Sequence, residues 1–251
     1  MEISNNGAER QMIIQADLHT HTIASTHAYS TISENCAWAE KHCLKAVAMT
    51  DHAMKMPDSP HVWHFENLKA LPRKISGVTV LRGIEADIID DCGNLDVDEK
   101  LLSKLEWVVA SMHKWTYEPT TAENHTKAYL AICENPYVDV IGHCTTDMFP
   151  FDMDRCVKKF KEYGKLVEIN ESSINNKKGS RRNSYELLKL CKKYEVTVTV
   201  DSDCHFCQSI GQIPSASGIL EELDFPQKLV INAEWGRVRE YITSKRGDIG
   251  I

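Results

Sequence analysis

Short apolar runs alternate with amphipathic stretches along almost the whole chain. Runs of four to seven residues rich in Val, Ile, Leu and Ala predict strands over Met12–Leu18, Ala46–Thr50, Val78–Ile84, Trp107–Met112, Val138–Gly142, Leu166–Asn170 and Val196–Val200. Such runs suit strands covered on both faces, as in a parallel sheet. Between them, helical spacing predicts helices over Glu34–Lys45, around Glu66–Ile75, and over Glu99–Leu105, Ala122–Glu134, Asp154–Tyr163 and Ser184–Tyr194. Ser33 and Asp152 are placed to cap free N–H groups of two first turns, and Gly164 to end a helix in the left-handed conformation. The pattern is seven β-then-α units, compatible with a barrel or an open doubly wound sheet. An amphipathic helix over Asn232–Lys245 is expected on the outside.

No Pro- or Ser-rich linker divides the 251 residues, so one domain over residues 12–251 is expected, preceded by a flexible tail at 1–11. Hydrophobic residues make up 42%, enough for a sizeable core, and the net charge of −7 argues against binding to nucleic acid or an acidic membrane, both of which need clustered Lys and Arg. Nine cysteines is an odd number, several of them lie inside apolar runs, and the first eleven residues carry no apolar leader. A reduced, cytoplasmic protein without a membrane span is the expectation, with homo-oligomerisation left open.

The metal-capable residues add the decisive feature. His19, His21 and His27 follow the first strand, and His52 follows the second. Glu85 follows the third, His113 the fourth, His143 the fifth, and Asp203 with His205 the seventh. In a parallel β/α barrel these positions share one rim, the face at the carboxyl ends of the strands where active sites are built. Neutral imidazole binds zinc well, and a carboxylate can bridge two ions. One strand-end histidine is commonly a hydrogen-bonded core residue; nine such side chains at the ends of six strands are expected to hold metal.

These residues fall in recognisable motifs: Asp-Leu-His-Thr-His-Thr-Ile-Ala-Ser-Thr-His-Ala-Tyr-Ser-Thr at 17–31, Thr-Asp-His at 50–52, Pro-His-Val-Trp-His-Phe at 60–65, Leu-Arg-Gly-Ile-Glu-Ala at 81–86, Glu-Ile-Asn-Glu-Ser-Ser at 168–173 and Asp-Ser-Asp-Cys-His at 201–205. Over about residues 17–232 the chain resembles the PHP (polymerase and histidinol phosphatase) family, in particular its YcdX-type bacterial phosphatases. The resemblance implies a distorted (β/α)7 barrel, similar to a TIM barrel, with three divalent ions. By motif, His19, His21, Glu85 and Asp203 would hold the first ion, and Glu85 would bridge to a second held with His113 and His143. His27, His52 and His205 would hold the third. Zinc is the first expectation, with manganese, iron or cobalt also suited to such donors. Cys144 stands where relatives tend to have proline, and Lys114–Trp115 occupy a loop of variable composition, so the mouth is where this chain is expected to differ.

The implied reaction is hydrolysis of small phosphate monoesters by a metal-activated water, with Glu85 and Asp203 as the carboxylates closest to the chemistry. Asp17 and Asp51, each beside ligand histidines, are candidates to orient an imidazole, and Arg181 and Arg182, with Lys177 and Lys178, to steer an anionic substrate. His42 and His125 fall in helical patterns and are read as surface residues. Two other functions stay open: a PHP-type nuclease acting on strand ends, disfavoured by the acidic balance, and an amidohydrolase-like enzyme. The latter usually bridges its metals with a carboxylated lysine where this chain offers Glu85.

Overall fold

The computed structural model describes residues 13–251; the expected tail and Met12 lie outside the described residues. Its strands are β1 (Ala16–Thr20), β2 (Ala46–Met49), β3 (Lys74–Ile75), β4 (Val78–Asp87), β5 (Trp107–Ser111), β6 (Val140–Ile141), β7 (Leu166–Asn170) and β8 (Val198–Asp201). All but β3 pair in parallel in the order β1-β2-β4-β5-β6-β7-β8, and β3 forms a short antiparallel pair with β4. The helices are α1 (Ile32–Lys41), α2 (Val62–Glu66), α3 (Glu99–Leu102), α4 (Ala122–Ile132), α5 (Met153–Glu162), α6 (Glu171–Asn176), α7 (Ser180–Tyr194), α8 (Pro214–Glu222) and α9 (Trp235–Arg246). The fold is the expected distorted barrel of seven parallel strands with helices around it.

Strand side chains alternate between faces, and here the alternation sorts the core into two. Val47, Met49, Val80, Ile84, Val108, Ala110, Val167, Ile169, Val198 and Val200 join a large cluster with the surrounding helices. The intervening Ala46, Ala48, Leu81, Trp107, Val109, Val140 and Leu166 form a second cluster with Ala16 and Leu18, inside the barrel. Following the inward positions upward, each strand changes from apolar to polar. On β4 they are Leu81, Gly83, Glu85 and Asp87; on β5 they are Trp107, Val109 and Ser111, with His113 just beyond; on β7 they are Leu166, Glu168 and Asn170. The barrel is thus filled with hydrocarbon below and lined with ionisable groups above.

The ring closes between β1 and β8 without a regular ladder. At the top, His21 N donates to Cys204 O at 2.9 Å and Asp203 N to His19 O at 3.0 Å. Lower down, the fully buried Asn232 spans the seam, its Nδ2 donating to Ala16 O at 2.9 Å and to Val200 O at 2.7 Å while its Oδ1 accepts from Val200 N at 3.1 Å. A backbone-like amide thereby satisfies strand groups that would otherwise be buried unpaired. A register irregularity in β1 between Asp17 and Thr20 has the character of a β-bulge beside the site, a device that re-aims side chains.

Several expected elements shift. The first helix starts at Ile32, with Thr31 rather than Ser33 as its cap: Thr31 accepts from Glu34 N while the Glu34 side chain accepts from Thr31 N, a reciprocal pair that Ser33, two residues further on and already inside the helix, cannot make. Asp152 does cap its helix, accepting from Arg155 N. The helix expected around Glu66–Ile75 is instead α2, a 3-10 turn at Leu68–Ala70 and strand β3, because Pro72 and the Ser76–Gly77 turn stop helical propagation. Helix α9 does not pack outside the ring. Val238 and Ile242 join Trp107 and Leu81 in the inner cluster and close the lower opening; each such buried aliphatic side chain contributes about 1.5–3 kcal/mol. His125 is buried in α4, its Nδ1 donating to Pro150 O at 2.8 Å and its Nε2 accepting from Thr120 N at 2.9 Å, so it ties two loops together and is no surface residue.

Candidate metal centre

Glu85 stands at the middle of the upper rim, 1% exposed, with its two oxygens turned to different neighbours. Its Oε2 lies 3.3 Å from His19 Nε2, 3.5 Å from His21 Nε2 and 2.9 Å from His52 Nδ1. Its Oε1 lies 2.8 Å from His143 Nε2 and 3.5 Å from His113 Nε2, and those two ring nitrogens are 3.1 Å apart. One carboxylate thus faces two separate groups of imidazoles, as a bridging ligand must. Asp203 completes the first group, its Oδ1 at 3.2 Å from His21 Nε2 and 3.8 Å from His19 Nε2.

These polar atoms are close, yet many make no hydrogen bond. His19 Nε2, both ring nitrogens of His21, His52 Nδ1, Glu85 Oε2 and His205 Nε2 are buried without a hydrogen-bond partner. Leaving one such atom unpaired costs on the order of 1–3 kcal/mol, so half a dozen in one place call for a ligand. A divalent cation fits. Donors arranged tetrahedrally at zinc–nitrogen distances stand about 3.3 Å from one another, and the His19, His21, Glu85 and Asp203 separations of 3.2–3.8 Å fall around that value. Further trios whose donor atoms converge are His21–His52–His205, His27–His52–Asp58 and His52–Glu85–His113.

The distal nitrogens are held from behind. His19 Nδ1 donates to Glu168 Oε1 at 2.7 Å, His113 Nδ1 to Asp87 Oδ1 at 2.7 Å, and His27 Nδ1 to Asp58 Oδ2 at 2.6 Å. Each carboxylate fixes a ring orientation and leaves the other nitrogen free to coordinate. Glu168 Oε2 also accepts from His143 N at 2.6 Å, locking a residue whose φ of 20° lies at the edge of the left-handed region. Gly142 before it has no room for a Cβ, which would collide with Ser111 Oγ and Val109.

Charge follows from this crowding. Burial alone would raise the Glu85 carboxyl, but His19, His113 and His52 hold it well below the usual carboxylate range. Asp203 is likewise held well below its ordinary value, burial being overcome by His19, the His21 hydrogen bond and His205. Burial and the neighbouring His52 push His21 down to about 3, and burial pushes His113 down to about 4, so both rings are neutral at physiological pH, as ligation requires. His52 goes the other way: Glu85 outweighs burial and lifts it to about 9.

The structure therefore gathers His19, His21, His52, Glu85, His113, His143, Asp203 and His205 around one space. His27 is half-exposed but its ring neighbours those of His52 and His205, with centroids 5.3 and 4.3 Å away. The anchors expected at Asp17 and Asp51 have other partners. Asp17 accepts from Ser202 N and Gly211 N. Asp51 accepts from Thr22, Ser25 and His64. They hold loops, not candidate ligand rings. Arg181 and Arg182 do not line the cavity above the centre; they pair with Glu222 at 3.0 Å and Asp147 at 2.6 Å, whereas Lys177 and Lys178 do line it. Sequence reasoning missed Glu168, Asp87 and Asp58. For Asp87 a signal was present, since it sits two residues beyond Glu85 on the same inward face of β4; Glu168 lies on β7, which carries no candidate ligand.

A parallel barrel whose carboxyl-end rim carries converging imidazoles and carboxylates is an arrangement suited to metal-assisted hydrolysis. Comparison with known proteins narrows it. The PHP domain family pattern matches residues 17–172. Over 95% of its length the chain is 43% identical to a "Probable phosphatase" of Thermoanaerobacter sp. (strain X514), covering 98% of that protein. It is 44% identical over 91% of its length to a "Probable phosphatase" of Clostridium novyi (strain NT), covering 94% of it. Among solved structures, the histidinol phosphate phosphatase of Lactococcus lactis, complexed with Zn, L-histidinol and phosphate, shares the fold. The TM-score is 0.57 and the identity 16%, covering 84% of this chain and 94% of that one. The chain belongs to the PHP family, alongside its probable phosphatases.

Proposed function

We propose that this protein is a phosphatase that hydrolyses small phosphate monoesters at a cluster of three divalent ions, most readily zinc. The observation that carries the reading is the set of buried, unpartnered nitrogen and oxygen atoms facing one space, with the far nitrogen of three rings anchored on a carboxylate. The names of the relatives and the Zn and phosphate of the Lactococcus lactis enzyme support the same chemistry. His19, His21, Glu85 and Asp203 would hold one ion, Glu85, His113 and His143 a second, and His27, His52 and His205 a third. Asp58 stands close enough to His27 and His52 to join the last set.

When bound, such ions neutralise charge on phosphoryl oxygens and bring the pKa of water near neutrality. The chain's own residues do the rest. Glu168, Asp87 and Asp58 hold the imidazoles in the tautomer that presents a lone pair inward. Glu85 and Asp203, ionised at any ordinary pH, offset cation charge so that several ions can share a small volume. Asn170 Nδ2 donates to Asp203 Oδ2 at 3.1 Å, steadying the carboxylate whose other oxygen faces His19 and His21. The walls above the rim exclude bulk water from one side of a bound ester, which strengthens these electrostatic contacts. No protein nucleophile is needed.

Metal analysis of the purified protein, followed by phosphate release from p-nitrophenyl phosphate with and without chelator, tests this reading. Stoichiometric divalent metal and activity that chelation abolishes are expected; full turnover after metal removal would sink it.

A further inference from the structure

The cavity above the centre has a volume of about 1440 Å³, far more than a phosphoryl group needs, and its wall carries lysines that no carboxylate claims. Four carboxylates line it, and all are engaged. Asp203 belongs to the centre, and Asp58 accepts from His27. Asp147 accepts from Arg182 and Asn183, and Glu171 from Ser215 N, Ala216 N and Asn175. Three lysines also line it, Lys114, Lys177 and Lys178, and among the described residues none of them has a carboxylate at ion-pair distance. Lys114 lies over the exposed Trp115 ring, its Nζ 4.4 Å from the centroid. Lys177 is half-buried, and its charge is near enough to disfavour protonation of both His113 and His143.

The lysine segment is not a loose loop. Asp147 N donates to Lys178 O at 2.9 Å, Asn183 Nδ2 donates to Thr145 O at 2.8 Å, and Ser184 Oγ donates to Thr145 Oγ1 at 3.2 Å. Gly179, at φ +79°, lies so close to the Asp147 carboxylate that no Cβ fits. Arg182 therefore serves this mouth indirectly, by tying Asp147 and with it the backbone that carries the lysines. An acidic protein has here built a mouth whose three ammonium groups stand without a carboxylate partner while its carboxylates are already engaged, beside a centre suited to cations that bind phosphoryl oxygens.

We propose that Lys114, Lys177 and Lys178 form a second anion subsite, and that the natural substrate is a phosphate monoester carrying a further phosphate or carboxylate besides the group removed. This rests on the phosphatase reading above and specifies its substrate class. Ammonium groups without intramolecular partners gain from an anion what paired ones cannot, and a charge at the mouth also speeds capture.

The test compares matched substrates on the metal-loaded full chain: fructose 1,6-bisphosphate against fructose 6-phosphate, and 3-phosphoglycerate against glycerol 3-phosphate. The doubly anionic member of one pair or both is expected to be favoured in kcat/KM by about tenfold or more, the scale of two charge-assisted contacts. The preference should shrink in high salt and fall to within about twofold in K114Q/K178Q, with K114R/K178R restoring it. K189Q, which alters an exposed lysine paired with Glu186, should leave it unchanged. The first pair reads a second phosphate and the second a carboxylate. Phosphate release with equal kcat/KM in both pairs, or a preference untouched by K114Q/K178Q, overturns the subsite and leaves the phosphatase standing. Should no ester be hydrolysed, the phosphatase reading fails, and calorimetry with fructose 1,6-bisphosphate still decides the subsite: equal affinity for wild type and K114Q/K178Q overturns it.

Discussion

Glu85 at the top of the barrel and Asp139 at its floor are both 1% exposed carboxylates, yet their surroundings are opposite. Asp139 is fully served: it accepts from Val108 N at 2.9 Å, from Arg246 Nη2 at 2.9 Å, from Tyr241 Oη at 3.3 Å and from Lys245 Nζ at 3.4 Å. Three of those partners, Tyr241, Lys245 and Arg246, come from α9, so Asp139 nails the closing helix to the barrel. Glu85 has five imidazoles around it and one oxygen with no hydrogen bond at all. Burial costs both groups the same solvation. What separates a structural carboxylate from a functional one is whether the chain itself supplies every partner.

Four substitutions and one change of conditions would break that contrast, from the strongest effect down. Glu85→Ala should lower phosphate release by about 10³-fold or more, the scale seen when a key charge-stabilising group is lost, with bound metal falling in parallel by elemental analysis. Asp139→Ala should do the reverse. Taking the counter-ion from half-buried Arg246 and Lys245 costs about 1–3 kcal/mol of stability, read as a lower urea midpoint, while kcat of the folded protein stays within about twofold of wild type. Glu168→Gln and Asp87→Asn remove the anchors of His19 and His113 and should weaken metal binding by about 10–100-fold in competition with a chelating dye, leaving the fold intact.

The smallest effect is on the pH profile of the chelated protein. Below pH 6.5 the unfolded chain protonates His21 and His113, whereas the fold keeps them neutral down to about 3 and about 4. The unfolded state then holds more protons, so stability falls as pH falls. Above 6.5 the stability lent by His52, which burial opposes but Glu85 lifts to about 9, is lost as pH climbs through that value. Urea midpoints should drop as pH climbs from 6.5 towards 9, whereas on the acid side the carboxyls of Asp87 and Asp96, both lifted by burial to about 7, oppose the effect of the two rings. Restoring metal should remove the alkaline drop, because neutral imidazole is the form that binds. A flat alkaline limb would mean that His52 does not face Glu85 as described.

The rim was readable from the chain because its donors sit at or just beyond the ends of apolar runs, where strand periodicity and chemistry coincide. The Asp17–Thr20 bulge was not, since nothing in Asp-Leu-His-Thr marks an extra residue, and only pairing with β2 reveals it. Glu168 and Asp87 escaped for another reason: a carboxylate within an apolar run has no meaning until its facing ring is known. Arg181 and Arg182 drew attention by charge alone, but their nearest carboxylates claim them and leave Lys177 and Lys178 to face the cavity. Helix α9 looked like an outer helix because its apolar side is thin. It needs only Val238 and Ile242 to meet the narrow lower opening.

Asn232 gives the molecule a topological dependence between its two termini. By bonding Ala16 and Val200 at once, it makes β1 and β8 halves of a single fastening held from the carboxyl-terminal segment. Shortening the protein from its carboxyl end past that point would unlatch the hoop as well as uncork its base, and the loss would reach His19 and Asp203, which meet across the same join.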